Sequence, residues 1–265
     1  DPRKPLLTID AAVGKCTASR GDVIIVAPGH LETVTAAAGL DLDIIGITLI
    51  GLGEGNLRPQ INFTTAVGAD MDVDAANITM VNFRFTGGID ALTGPIDINA
   101  ADFHLYDCIT EDVTGEATDF IVGDDAVNRL HIRNWTHRGA SGAGADTALT
   151  VVGADDVIIE DFNIYGNFAV AAIEQLTTLG NRWRIGGGSE TCFIWTENAA
   201  DVAITMKSDT TGWIAGPMDI MLQDNAANIT EALVGAAMQF MQPLRLVNLA
   251  GESSMDTNIT ASTDA

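Results

Sequence analysis

Residues 154–167 read ADDVIIEDFNIYGN, residues 127–139 read VNRLHIRNWTHRG, and residues 100–113 read AADFHLYDCITEDV. In each, two apolar residues flank a residue able to face water, which is the two-residue alternation of a strand; Asn or Asp follows two places later, and a large apolar residue then opens a second alternation. Aligning these units on their central apolar residue brings in two earlier ones, giving ITLIG (47–51), ITMVN (78–82), FHLYD (103–107), LHIRN (130–134) and VIIED (157–161). The centres Met80, Leu105, Ile132 and Ile159 lie 25, 27 and 27 residues apart. A repeat of that period, with no helical pattern of ten or more residues between units, describes a solenoid whose coils stack as parallel strands. A βαβ sheet needs intervening helices, and antiparallel hairpins need much shorter spacing.

The fifth position of the unit holds Asn82, Asp107, Asn134 and Asp161, with Gly51 in the earliest copy. These residues tolerate left-handed backbone and hydrogen-bond to neighbouring main chain, so the column is expected to be a structural turn ladder. Phe83, Cys108, Trp135 and Phe162 follow and open the next strand. The segments NRWRIGG (181–187), AITMKS (203–208), DIMLQD (219–224) and PLRLVN (243–248) read as further rungs at uneven spacing. Roughly nine coils at the ~4.8 Å strand spacing would make a rod ~40 Å long, whose end strands need capping. LTIDAAVGKCTA (7–18) and NITEALVGAAMQFM (228–241) are the two best helical segments and are expected as caps, the second less directly because a rung follows it. The expected organisation is a capping segment over 1–20, a solenoid over 21–226, and a C-terminal helix, last rung and tail over 227–265.

The 265 residues are 47% apolar and only 6% aromatic, so the core must be built from small and branched aliphatics. Thirteen basic against 36 acidic residues give a net charge of −23, which repels nucleic acid and anionic membrane surfaces and makes neither an expected partner. Cys16, Cys108 and Cys192 stand far apart in no metal-ligand spacing and are expected as buried thiols. No apolar run approaches the ~20 residues that cross a bilayer, and the opening DPRKPLLTID has no signal-peptide pattern.

Stacking also says which polar side chains meet. His104 and His131 share an outward position on consecutive rungs and are the candidates for a metal or a glycan, although Thr79 and Ile158 at the flanking positions supply no third ligand. Arg133 beside Glu160 reads as a cross-strand ion pair. Asp107 and Asp161 stand two steps apart, ~9.6 Å, slightly beyond the range of an inverting glycosidase pair. The acidic pieces GDD (123–125) and ADD (154–156) recur just before rungs and read as turn caps; calcium is the one cation they could attract, and neither forms a known calcium loop. No catalytic residue, metal site or cofactor is assigned. Ile50, Val81, Tyr106 and Ile158 face away from the coil interior in this register, an apolar stripe expected to be covered by loops or by identical chains around a closed axis.

The stretch GDVIIVAPGHLETV (21–34), followed by DIIGITLIGLGEGNLRPQINF (43–63), resembles the opening coils of pectin-lyase-like proteins. Residues 10–53, together with VDAANITMVNFRF (73–85), are similar to β-helical structural proteins of tailed bacteriophages. The resemblance implies an all-β chain, a single-stranded right-handed parallel β-helix with short capping helices. It also implies a virion surface protein of head-fibre or capsid-decoration type, made in the host cytoplasm and extracellular once assembled. Its expected partners are two further copies in a homotrimer, other virion proteins such as the major capsid protein, and host surface glycans. The pectin-lyase-like fold also carries polysaccharide lyases and glycoside hydrolases, including tailspike depolymerases, and such an enzyme is the alternative.

Overall fold

Leu49, Met80, Leu105, Ile132, Ile159, Ile185 and Ile214 sit in register on successive parallel strands, and all seven side chains are buried. This is the repeat read from the sequence, and it makes the chain a parallel β-solenoid of about seven turns with almost no helix. The computed structural model describes residues 4–140, 145–176, 180–197, 202–207, 209–222, 233–234, 237–241 and 244–248.

Each turn presents three faces. The first runs from Val23–Val26 through Thr48–Gly51, Ile78–Val81 and Phe103–Tyr106 to the leading halves of His131–Arg138 and Ile158–Gly166. The second runs from Leu31–Val34 through Gln60–Phe63, Arg84–Gly87 and Ile109–Asp112 to the trailing halves of those same two long strands, and on to Cys192–Thr196. The third is a separate eight-stranded sheet climbed in seven steps from Leu40–Asp41 to Leu233–Val234.

The four later segments read as rungs are all strands of the solenoid, shared among its faces. Val202–Thr205, which overlaps AITMKS, belongs to the third face, while Met218–Leu222 and Leu244–Asn248, which overlap DIMLQD and PLRLVN, belong to the second. The first face continues instead through Trp183–Gly186, Thr211–Ala215 and Ala237–Met241. Inward–outward alternation is the same on every face, so once loop lengths vary it cannot say which face a segment joins. The expected helix over 228–241 is overturned where it is described. Leu233–Val234 pairs with Val202–Thr205, and Ala237–Met241 pairs with Thr211–Ala215. An open parallel edge offers these residues a full row of hydrogen bonds, which outweighs a weak helical propensity. Residues 228–232 and 249–265 lie outside the described residues.

The N-terminal cap is present but shorter than the segment over 7–18, comprising Ile9–Val13. The Ala11 N–H donates to the Thr8 side chain at 3.1 Å, an N-cap, and Ile9 and Val13 face the core. The Ile9 N–H also donates to Glu32 Oε2 at 2.9 Å, and the His30 ring lies 2.9 Å from the same oxygen. Glu32 is an inward residue of the first coil and is buried, so the helix end and the imidazole supply the partners that an interior carboxylate requires. Cys108 and Cys192 are buried free thiols as expected, whereas Cys16, under the cap, is half-buried.

Thr110 and His137 form a buried polar pair at inward positions of the second face. His137 is fully buried, with its ring among Phe120, Trp135 and Phe168 at centroid distances of 5.5, 6.0 and 5.8 Å. The Trp135 N–H donates to Thr110 Oγ1 at 2.8 Å, and that hydroxyl lies 2.9 Å from His137 Nδ1. The hydroxyl thus bridges the indole and the imidazole. Nε2 is buried without a partner.

Candidate functional site

The left-handed ladder appears at all four Asn and Asp positions read from the sequence. Asn82, Asp107, Asn134 and Asp161 have φ of 65°, 55°, 51° and 51°. Asn82 Nδ2 donates to the carbonyls of Gly51 and Gly53 at 2.8 and 2.9 Å, Asn134 Nδ2 donates to Asp107 Oδ1 at 2.7 Å, and Asp161 Oδ1 accepts the Glu190 N–H at 2.7 Å. The carboxylates of this column are therefore committed to turns. Gly51 occupies the same place for another reason: it lacks positive φ, but a Cβ there would collide with the carbonyl oxygen of Asn82.

A second left-handed column escaped the sequence reading. Asn77, Asp102, Arg129, Asp156 and Arg182, each just before a first-face strand, have φ between 58° and 63°. Arginine is unusual there. Its guanidinium explains the choice, since Arg129 reaches back to Asp102 and Arg182 to Asp156 in two-pronged ion pairs, each with its second bond at 2.7 Å. The signal lay in the charge alternation at a 26- to 27-residue step, one position ahead of the apolar repeat. GDD and ADD act as turn caps: Asp124 Oδ1 accepts the Ala126 N–H at 2.7 Å, and Asp155 Oδ1 accepts the Asn181 N–H at 2.8 Å. Among the described residues no three His, Cys, Asp or Glu side chains converge as a metal site.

The outer surface of the first face carries the densest group of functional side chains. His104 and His131 pair in register with rings edge-on at 5.9 Å, as the stacking requires. Tyr106 joins them: its hydroxyl lies 2.9 Å from His131 Nδ1, and its ring stacks on His104 at 5.6 Å. His131 Nε2 is 3.1 Å from Glu160 Oε1, and Arg184 lies 3.0 Å from Glu160 Oε2. A carboxylate can only accept, so Nε2 donates to Glu160, while the Tyr106 hydroxyl is hydrogen-bonded to Nδ1 on the other side of the ring. The result is a hydrogen-bonded chain from Tyr106 through His131 and Glu160 to Arg184, crossing four rungs.

The expected Arg133–Glu160 ion pair is not formed, although the two residues are in register. Glu160 is taken by His131 and Arg184, and the exposed Arg133 guanidinium sits 4.6 Å from the centre of the Tyr106 ring. A delocalised cation over an aromatic face gains attraction without displacing those two donors. Burial is the main cause that holds the Tyr106 hydroxyl above its ordinary pKa and His104 below the imidazole range, with the His131 charge adding to the second effect. At neutral pH this surface therefore offers a protonated phenol, a neutral imidazole and an exposed cation, a set suited to hydrogen bonding and stacking more than to proton abstraction. Ile50, Val81 and Ile158 flank it outward and half-buried, as does Tyr106.

The third face is electrostatically opposite. Its strands contain no Lys or Arg, and Asp41, Asp72 and Asp97 stack outward on three successive rungs. Burial and the neighbouring carboxylates, Asp70 first among them, push Asp72 up to about 6. The alignment on the first face hid this column.

Asp112, at the end of Ile109–Asp112, is pushed up to about 7, chiefly by burial and then by Glu116, Asp90 and Glu111. Its Oδ1 accepts the Ala117 N–H at 3.2 Å and fills the space left by Gly87, where a Cβ would approach that oxygen to 2.6 Å. A raised carboxyl penalises the fold as pH climbs from about 4 to about 7, and the penalty is constant above that. Asp112→Asn keeps an acceptor for Ala117 and is expected to raise stability by on the order of 1–3 kcal/mol at pH 8 and by almost nothing at pH 4. Urea unfolding at the two pH values checks this; equal effects at both would rule out the buried charge as the cause.

No family model, no curated protein and no solved structure matches this chain.

Proposed function

We propose that the chain is a rigid surface module of a tailed-bacteriophage virion, a head fibre or capsid decoration, assembled as a homotrimer beside the major capsid protein. The observation that carries this reading is the outer surface of the first face. Val23 and Ile25 are each 55% exposed, and Ile50 and Val81 continue the apolar stripe upward on a chain whose net charge is −23. A stripe of this kind on an otherwise acidic rod is best covered by a copy of itself around a closed axis. The phage context comes from the resemblance of residues 10–53 and 73–85. The function is mechanical: hydrogen-bonded parallel rungs resist unfolding and proteolysis, and the loops offer a surface for attachment to host glycans. Purified particles analysed by mass spectrometry should contain the chain, and light scattering should give three copies in solution. Consistent absence from particles would overturn the virion assignment, and a stable monomer would overturn the trimer.

A polysaccharide lyase or hydrolase is the second reading, favoured by the chain linking Tyr106, His131, Glu160 and Arg184. Turnover of acidic or neutral polysaccharide that falls by ~10²-fold or more in His131→Ala and Glu160→Gln would establish it in place of the mechanical role.

A further inference from the structure

Aromatic residues make up 6% of the chain, yet three of them gather on the outside of the second face. Tyr165 on Ile158–Gly166, and Phe193 and Trp195 on the adjoining Cys192–Thr196, occupy outward, half-buried positions. Tyr165 pairs in register with Trp195, and its ring centre lies 6.3 Å from that of Trp195 and 5.3 Å from that of Phe193. Hydrogen-bonding side chains border the group. Phe193 is in register with Asn163 on one side and Asp219 on the other, and Arg138 is in register with Tyr165 on the preceding rung. Arg138 is exposed and has no carboxylate partner among the described residues, in a chain with 36 acidic side chains to offer.

Clustered aromatic faces with convergent polar groups at their margins match a pyranose ring, which has an apolar C–H face and hydroxyl edges. An arginine with no carboxylate partner among the described residues adds a two-pronged site for a carboxylate. We propose that this patch is a saccharide-binding site: a carboxylated pyranose stacks on Tyr165 and Trp195 with its carboxylate on Arg138. The ligand class is a glycan with isolated acidic sugars, because the net charge of −23 repels a densely charged polyanion. The inference deepens the glycan-attachment part of the proposed function, but its chemistry does not depend on the virion context.

Cellobiouronate and cellobiose, which differ by one carboxylate, separate the stacking from the charge contribution. Saturation-transfer NMR on the full chain should show contact with the ring C–H protons of cellobiouronate and weaker contact with cellobiose. Trp195→Ala should weaken binding at least tenfold. Arg138→Gln, an exposed substitution that leaves the fold intact, should bring the two sugars to equal affinity. No transfer from either sugar at millimolar concentration would overturn the proposal, as would unchanged affinity in both variants. If Trp195→Ala instead separates an oligomer that binds neither sugar, the patch is a contact between copies, and the proposal fails. Detection of the chain in particles is independent of these results, so the two readings can fail separately.

Discussion

Between pH 6.5 and pH 4 the protein should lose about 3 kcal/mol more stability than its His137→Phe variant. The His137 ring is fully buried and pushed down to about 3 by desolvation alone, since no carboxylate pairs with it. The unfolded chain takes up this proton near pH 6.5, while the native state refuses it until about pH 3, so the native state loses ground across that whole window. The acidic residues shift the other way: Asp72 at about 6 and Asp112 at about 7 make the fold gain stability as pH falls through the same range. Their contribution is common to both proteins, and the difference between wild type and variant isolates the imidazole. Phe keeps a planar ring among Phe120, Trp135 and Phe168 and removes the partnerless Nε2. Urea unfolding at pH 6.5, 5 and 4 checks the prediction; parallel curves for the two proteins would show that the native state admits the proton.

Ile132→Ala should cost about 2–5 kcal/mol, and Ile158→Ala less than about 1 kcal/mol. The two isoleucines stand on neighbouring strands, but Ile132 points inward between Leu105 and Ile159, whereas Ile158 points outward beside His131. Truncating the inward side chain leaves a cavity that its neighbours above and below cannot close, because hydrogen bonding fixes the rung spacing on both sides. The outward side chain is half-buried and its neighbours are free to move. A slip of one residue in register would exchange the two results, so the pair tests the register of the coil as well as the energy of its core. Where identical copies cover the first face, Ile158→Ala should weaken their association while leaving the unfolding of each coil little changed.

Of the candidate site, the sequence made the column legible but not the partners. Period and alternation alone put His104 over His131 and Arg133 beside Glu160, since strand geometry fixes which side chains are neighbours. They could not say that Glu160 prefers His131 and Arg184 while Arg133 lies on Tyr106, because that choice depends on rotamers and on a rung whose loop broke the period. The aromatic group of Tyr165, Phe193 and Trp195 stayed hidden for a related reason. Its members stand 28 and 30 residues apart, across an interval lengthened by the GGGSE loop, and the alignment followed the first face only.

By itself the sequence determined the solenoid, the inward column from Leu49 to Ile159, and the left-handed ladder at Asn82, Asp107, Asn134 and Asp161. Each is local: alternation sets what is buried, and a small polar residue is what a left-handed corner accepts. Only the tertiary structure decided which face each late segment joins, that residues 233–234 and 237–241 extend sheets and form no helix, and which charges pair. Those outcomes depend on competition among distant groups for the same edge or the same carboxylate, and no local pattern records which one wins.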